Sequence, residues 1–332
     1  MHDTGLASIQ HGNASTSSHP AQAQGRNAFV LPPHSQRGWM PECLRRLGST
    51  VGSLLLGGAA VLGAMFAFRQ GALPLIQSAF GLDADVVSAV RRVGLLATAL
   101  LAYWAFVRLY ERRVAAELSL RLLPIMLGGL SGALLVAVPI ALLFALGAYA
   151  LVGTRELAWS LSGVAAVIAV AATLEELIYR CLLFRIVERS WGTWVALMVQ
   201  ALIFAAVHLE NVEGAGIAVA VTMLLAVTVV GLLWASVFVL TRSLWAAAAN
   251  HAAWNFTILL SGVPLSGIED WRAMAPLQTA LNGPDWLTGG MFGPESSVLV
   301  ITCASLATVF LLRRARATGH IRPPAGSSDG AT

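Results

Sequence analysis

Eight runs without a charged residue divide this chain: Val51–Phe68, Val93–Val107, Leu122–Thr154, Leu157–Leu174, Trp191–Val207, Gly214–Thr241, Ser243–Ile268 and Ser296–Leu312. A helix needs about 20 apolar residues to cross the hydrocarbon core, with ~17 as the lower limit. The second run is short, but Val86–Ala89 and Leu109 can extend it. The third is too long for one straight span, and Pro139 offers a kink. The fourth must continue through a charged patch to Phe184 or beyond. The pattern predicts an all-α, polytopic membrane protein with about eight transmembrane helices, and no repeat of fixed period is visible. The first 48 residues are rich in Ser, Ala, Gln and Gly and read as a disordered polar arm. A transmembrane domain is expected over 49–315, followed by a polar, disordered tail over 316–332. The first apolar run begins too far from Met1 to be a signal peptide.

Composition agrees with this pattern. The 332 residues are 57% hydrophobic and 11% charged, with a mean hydropathy of +0.73. Soluble domains carry about 25% charged residues, which excludes that class. All 21 basic residues are Arg. With the N-terminus in the cytoplasm, fifteen of them fall in cytoplasmic segments, five fall outside, and Arg180 lies in the membrane. The positive-inside rule then predicts both termini in the cytoplasm. An Ala-rich chain that uses only Arg suggests a bacterial inner membrane. The basic residues lie in short runs between apolar segments, which argues for membrane orientation and against a nucleic-acid partner. Cys43, Cys181 and Cys303 are scattered, so neither a disulfide framework nor a thiolate zinc site is expected.

Against this background the stretch TLEELIYR, Thr173–Arg180, is anomalous. An ionisable group at membrane depth costs a few kcal/mol and usually faces the bundle interior with a partner. Glu176 and Arg180 are four apart, share a helix face and can pair. Glu175 is rotated by ~100° and stacks over Tyr179, without a local ionic partner. A turn near Ser190–Gly192 would fold the fourth and fifth helices into a hairpin. Glu175 and His208 would then sit at nearly the same height, with Phe204 one turn below His208. On the seventh helix His251 and Asn255 share a face, while Asn250 points elsewhere. In isolation these could be helix-packing residues. Together, a Glu, two His and an Asn on three apolar helices can form a chemical site. The Glu would be a general base on water, His would hold or share the proton, and a His–Asn pair would donate to an oxyanion.

The ordered set EExxxR (Glu175 to Arg180), FxxxH (Phe204 to His208) and HxxxN (His251 to Asn255) resembles the CPBP intramembrane proteases, which include the CAAX prenyl endopeptidases of the Rce1 type. Thr288–Ser296, TGGMFGPES, is similar to a loop before the last helix in bacterial members. The resemblance implies an eight-span protease of glutamic type, with its polar site among helices four, five and seven. Glu175 would be the general base and His208 would orient the water. His251 and Asn255 would form the oxyanion side, and Glu176, Arg180, Phe204 and Tyr179 would support the site. No cofactor is then needed. A Zn²⁺ ion held by Glu175, His208 and His251 is the metal-dependent alternative, although HExxH is absent. Partners would be the lipid bilayer and a membrane-anchored protein or peptide substrate. Two rivals stand beside this reading: a non-catalytic scaffold or bacteriocin-immunity protein, and a proton-coupled transporter.

Overall fold

A computed structural model describes residues 39–156, 159–212, 214–268 and 270–326. Of the unit that runs to Cys43 only the first residues of α1 are described, and the unit from Leu44 carries everything below. Most of the arm expected over 1–48 lies outside the described residues, and its last ten residues already belong to α1 (Trp39–Ala67).

α1 passes through a π-helical stretch, Phe68–Ala72, into α2 (Leu73–Phe80). α3 (Ala84–Ala105) starts where the Asp83 carboxylate accepts from Val86 N–H at 2.9 Å, satisfying a donor that the first helical turn leaves open. α4 (Leu122–Ala145) contains Pro139 and ends well inside the long third run. Gly147, at φ +72°, turns the chain into β1 (Tyr149–Thr154). A single kinked span was expected over Leu122–Thr154; the glycine and the strand-forming Tyr-Ala-Leu-Val sequence split it instead. α5 (Ser160–Glu176) continues through a π-helical turn, Leu177–Phe184, into α6 (Arg185–Val207). α7 (Ile217–Thr241) and α8 (Leu244–Leu260) follow. β2 (Leu277–Leu281) pairs antiparallel with β1, with a bulge between Leu151 and Gly153. α9 (Asp285–Thr288) and α10 (Val298–Ala317) complete the order.

Six helices among the described residues are long and apolar enough to cross a membrane. The expected eight treats Leu161–Val212 as two spans and adds α8, which has 17 residues. Leu161–Val212 does divide in two. Gly192 has φ +80°, ψ 167°, outside the helical region, and beyond it the chain doubles back so that Phe204 meets Tyr179 with ring centroids 4.9 Å apart. This is the expected hairpin, and its elbow is a glycine because that backbone region is nearly closed to other residues.

Lipid is as apolar as leucine, so close packing and buried polar contacts, rather than apolar burial, must hold such helices together. Both are present. α4 lies along α8, and a Cβ on Gly128 or Gly132 would overlap the backbone of Ala246 or Asn250. Asn250 Nδ2 donates to Gly128 O at 3.1 Å and to Ser131 Oγ at 2.9 Å. Its role is thus to dock α8 on α4. At the hairpin elbow the Glu188 carboxylate accepts from Arg242 at 2.5 and 2.9 Å and from Thr193 Oγ1 at 2.7 Å. The segment after α10 closes over the same place: Thr193 N–H donates to Arg322 O at 3.0 Å, and Arg322 N–H donates to Thr193 Oγ1 at 2.8 Å. The tail expected over 316–332 includes this segment. α10 runs to Ala317, and residues through Ala325 are ordered by backbone pairing to the elbow, which hydropathy could not reveal.

Candidate active site

The π-helical turn after Glu176 places Glu176 and Arg180 wholly out of solvent. Arg180 Nη1 lies 3.1 Å from Glu176 Oε1. Its Nη2 donates to Gly231 O at 3.1 Å, which ties the π-helical turn to α7. The guanidinium also lies over Phe204, 4.8 Å from the ring centroid, and 5.7 Å from that of Trp234, a favourable arrangement for a desolvated cation.

Glu176 has a second task. Its Oε1 lies 3.0 Å from His251 Nδ1. A carboxylate in this bond accepts, so Nδ1 carries the proton and Nε2 is turned the other way. There it faces Glu175 Oε2 at 3.9 Å, too long for a direct hydrogen bond. Trp234 stacks on the His251 ring, centroids 3.5 Å apart and planes 18° apart, which fixes the imidazole from its face. His208 is arranged in the same manner. Its Nδ1 donates to Phe204 O at 2.8 Å, which leaves Nε2 available, and the Phe204 ring lies 4.4 Å away.

Glu175, His208, His251 and Asn255 all line one cavity of about 160 Å³, walled by Ile168, Val227, Val230 and Trp234 and covered by Leu265, Ser266, Ile268 and Trp271. The structure thus brings together the four residues read as catalytic. Of the supporting set, Phe204 lines the cavity, Glu176 and Arg180 stand behind it, and the Tyr179 ring packs edge-on to Phe204. Glu175 is the wettest carboxylate of the motif, with 35% of its side chain exposed, whereas Glu176 has none. Asn255 Oδ1 is buried and makes no hydrogen bond among the described residues. A larger groove of about 670 Å³ between α4, α7 and α10 is lined by Leu127, Val138 and Phe310 and contains no charged residue.

Two further side chains that border the cavity were given no role in the sequence reading, although one of them, Glu295, lies within Thr288–Ser296. Trp234 is the only tryptophan of α7, a signal visible only once α7 is known to border the site. Glu295 lines the same cavity, is 4% exposed, and accepts from Ser266 Oγ at 2.5 Å. Burial pushes its carboxyl above the ordinary value of 4.5, only partly offset by the Ser266 hydroxyl and by the nearby His208 and His251.

The described residues gather no three His, Cys, Asp or Glu side chains able to hold a metal ion. His251 uses Nδ1 on Glu176, and His208 uses Nδ1 on Phe204 O. Both rings therefore leave Nε2 open towards the cavity, the arrangement that a histidine orienting water and a histidine bound to Zn²⁺ would each have.

A model of the type II CAAX prenyl endopeptidase Rce1-like family matches residues 156–257. That segment runs from the start of α5 to the last turn of α8 and contains all three motifs. No curated protein and no solved structure is similar enough to this chain to count as a match. Residues 156–257, with the three motifs they contain, are thus similar to the Rce1-like CAAX prenyl endopeptidases.

Proposed function

We infer that this chain is an intramembrane endopeptidase of CAAX type, from the similarity of residues 156–257 to that family. We propose that this chain hydrolyses a peptide bond of a membrane-associated protein or peptide by a glutamic, metal-independent mechanism. The observation that carries this reading is the single small cavity shared by Glu175, His208, His251 and Asn255. Glu175 takes a proton from water while the water oxygen attacks the carbonyl carbon. His208 Nε2 orients that water, because its other nitrogen is committed to Phe204 O. Asn255 Nδ2 faces the oxygen that gains charge, and His251 donates to it from Nε2 in its doubly protonated form, with Glu176 holding Nδ1–H. Asn255 also has a buried amide oxygen in want of a donor, which a substrate N–H can supply. Glu176 and Arg180 hold His251 in place from behind. The chemistry needs water near the carboxylate and little elsewhere. At about 160 Å³ the cavity has that room, since one water needs only ~10–15 Å³ of such space.

The test is proteolysis of a panel of membrane-tethered C-terminal peptides by the purified protein in liposomes. Wild type is compared with Glu175→Gln and His208→Ala, each with and without chelator. General-base catalysis contributes about 10²–10⁴-fold, so Glu175→Gln should lower kcat by at least that range, and chelation should change nothing. Loss on chelation that Zn²⁺ restores would replace this mechanism with a metal-dependent one. If no peptide is cut, and Glu175→Gln still rescues the phenotype of a gene deletion, the scaffold reading stands instead. Proton-coupled uptake into the liposomes would identify a transporter.

A further inference from the structure

The family match ends at residue 257, yet the cavity is completed by residues beyond it, one of them a carboxylate, Glu295. Glu295 stands in a short 3₁₀ turn, Pro294–Ser296, just before α10. Its approach is built by glycines. Gly289, Gly290 and Gly293 have φ of +84°, +55° and +98°, where a side chain is strained. A Cβ on Gly293 would overlap Pro264 O, and one on Gly289 would overlap Gly293 O. Gly267 N–H donates to Phe292 O at 3.1 Å. The loop is thereby pressed against Val263–Ile268, and Glu295 is delivered to Ser266 and the cavity.

The cavity then holds two carboxyls in contrasting surroundings. Glu175, on α5, is partly exposed to water and lies beside a His251 nitrogen. Glu295 enters from the loop before α10, almost fully buried, with the Ser266 hydroxyl on one oxygen and His208 and His251 close enough to favour its charged form. Two acids held in such different environments divide the work of base and acid between them. Peptide hydrolysis needs both, because an amine leaves only when its nitrogen is protonated, and Glu175 is occupied with the proton of the attacking water.

We propose that Glu295 is the catalytic acid of the site and gives its proton to the nitrogen of the scissile peptide bond. This rests on the hydrolytic reading above. In the forward step the water oxygen bonds to the carbonyl carbon as its proton passes to Glu175. The C–N bond then breaks, and the nitrogen takes its electron pair together with the Glu295 proton. Glu175 is left protonated and Glu295 ionised. Transfer of one proton from the first to the second through water restores the starting state.

The experiment compares two probes: a membrane-tethered peptide that the wild type cleaves, and a 4-nitrophenyl ester of the same acyl segment, whose leaving group departs without a proton. Glu295→Gln should lower peptide kcat/KM by ~10²-fold or more and ester kcat/KM by less than about fivefold, with Glu295→Asp recovering part of the peptide activity. The alkaline limb of the wild-type peptide pH profile should be missing from the residual activity of Glu295→Gln. Equal losses on both probes would make Glu295 a structural residue, and full peptide activity in Glu295→Gln would remove it from the mechanism; either overturns the proposal. In both cases a dead Glu175→Gln variant would leave the hydrolytic reading intact. A wild type that cleaves neither probe defeats that reading and this proposal with it.

Discussion

Replacing Arg180 by methionine would remove a guanidinium that has no access to solvent and leave the Glu176 carboxylate behind in the same dry place. Two unit charges ~4 Å apart attract by about 4 kcal/mol at an effective dielectric of ~20. Removing one partner of a buried pair costs about 3–5 kcal/mol, because the other charge is stranded. Arg180→Met also gives up the bond to Gly231 O and the contact with Phe204, which places it at the upper end. Glu176→Gln should cost a similar amount through the stranded arginine, while keeping an amide oxygen for His251 Nδ1. The double variant strands neither charge, so its cost should fall short of the sum by about 2–3 kcal/mol. Equilibrium unfolding in mixed detergent micelles measures all four corners of this cycle. If the two single costs add within ~0.5 kcal/mol, the pair is not a coupled ion pair and the reasoning fails.

Gly132→Val should be among the most damaging apolar substitutions, because its side chain would be driven into the Asn250 backbone. Forced separation of α4 from α8 should lower both the unfolding midpoint and peptide cleavage, and wild-type values for both would disprove the close approach. Gly192→Ala should cost about 1–3 kcal/mol from backbone strain alone, with more from its Cβ, 2.9 Å from Pro324 N; unfolding in micelles again measures it. Burial raises the Glu295 carboxyl above 4.5, so the folded chain holds that proton more tightly than the unfolded chain does. Its contribution to stability is whole below the ordinary value and is lost as pH climbs from there through the raised one. The wild-type unfolding midpoint, plotted against pH relative to Glu295→Gln, should fall over that window; a flat difference would refute the assignment.

The three motifs could be read from the sequence because each lies within one or two turns of a single helix, where spacing fixes which side chains share a face. Glu176 with Arg180, and His251 with Asn255, follow from a separation of four residues alone. The hairpin was legible for a related reason, since a lone glycine between two apolar runs gives the chain one place to reverse. The approach of α4 to α8 also had a sign, Gly128-x-x-x-Gly132, a spacing of small residues that permits helix contact. Glu295 is a different case. It stands 40 residues beyond Asn255, and its route to the cavity depends on how GGMFGP folds, which no period encodes. Trp234 is similar, because an indole on an uncharged helix looks like core until its neighbour is known to be a histidine. The sheet was hidden for a further reason. Tyr149–Thr154 carries no charge and continues the run of the helix before it, and an uncharged run does not by itself distinguish strand from helix. The π-helical turn at Leu177–Phe184 contains neither Gly nor Pro, so the sequence carries no mark of it.

The elbow at Gly192 gives the protein a timetable. The hairpin that carries Glu175 and His208 is made early, but the strand that grips its bend at Thr193 is Arg322, 129 residues later in the chain. A chain growing from the ribosome will have all three motifs in the bilayer while the bend still lacks this clasp. The bend is clasped only when the residues beyond α10 come back to it, which places completion of the elbow after synthesis of that helix.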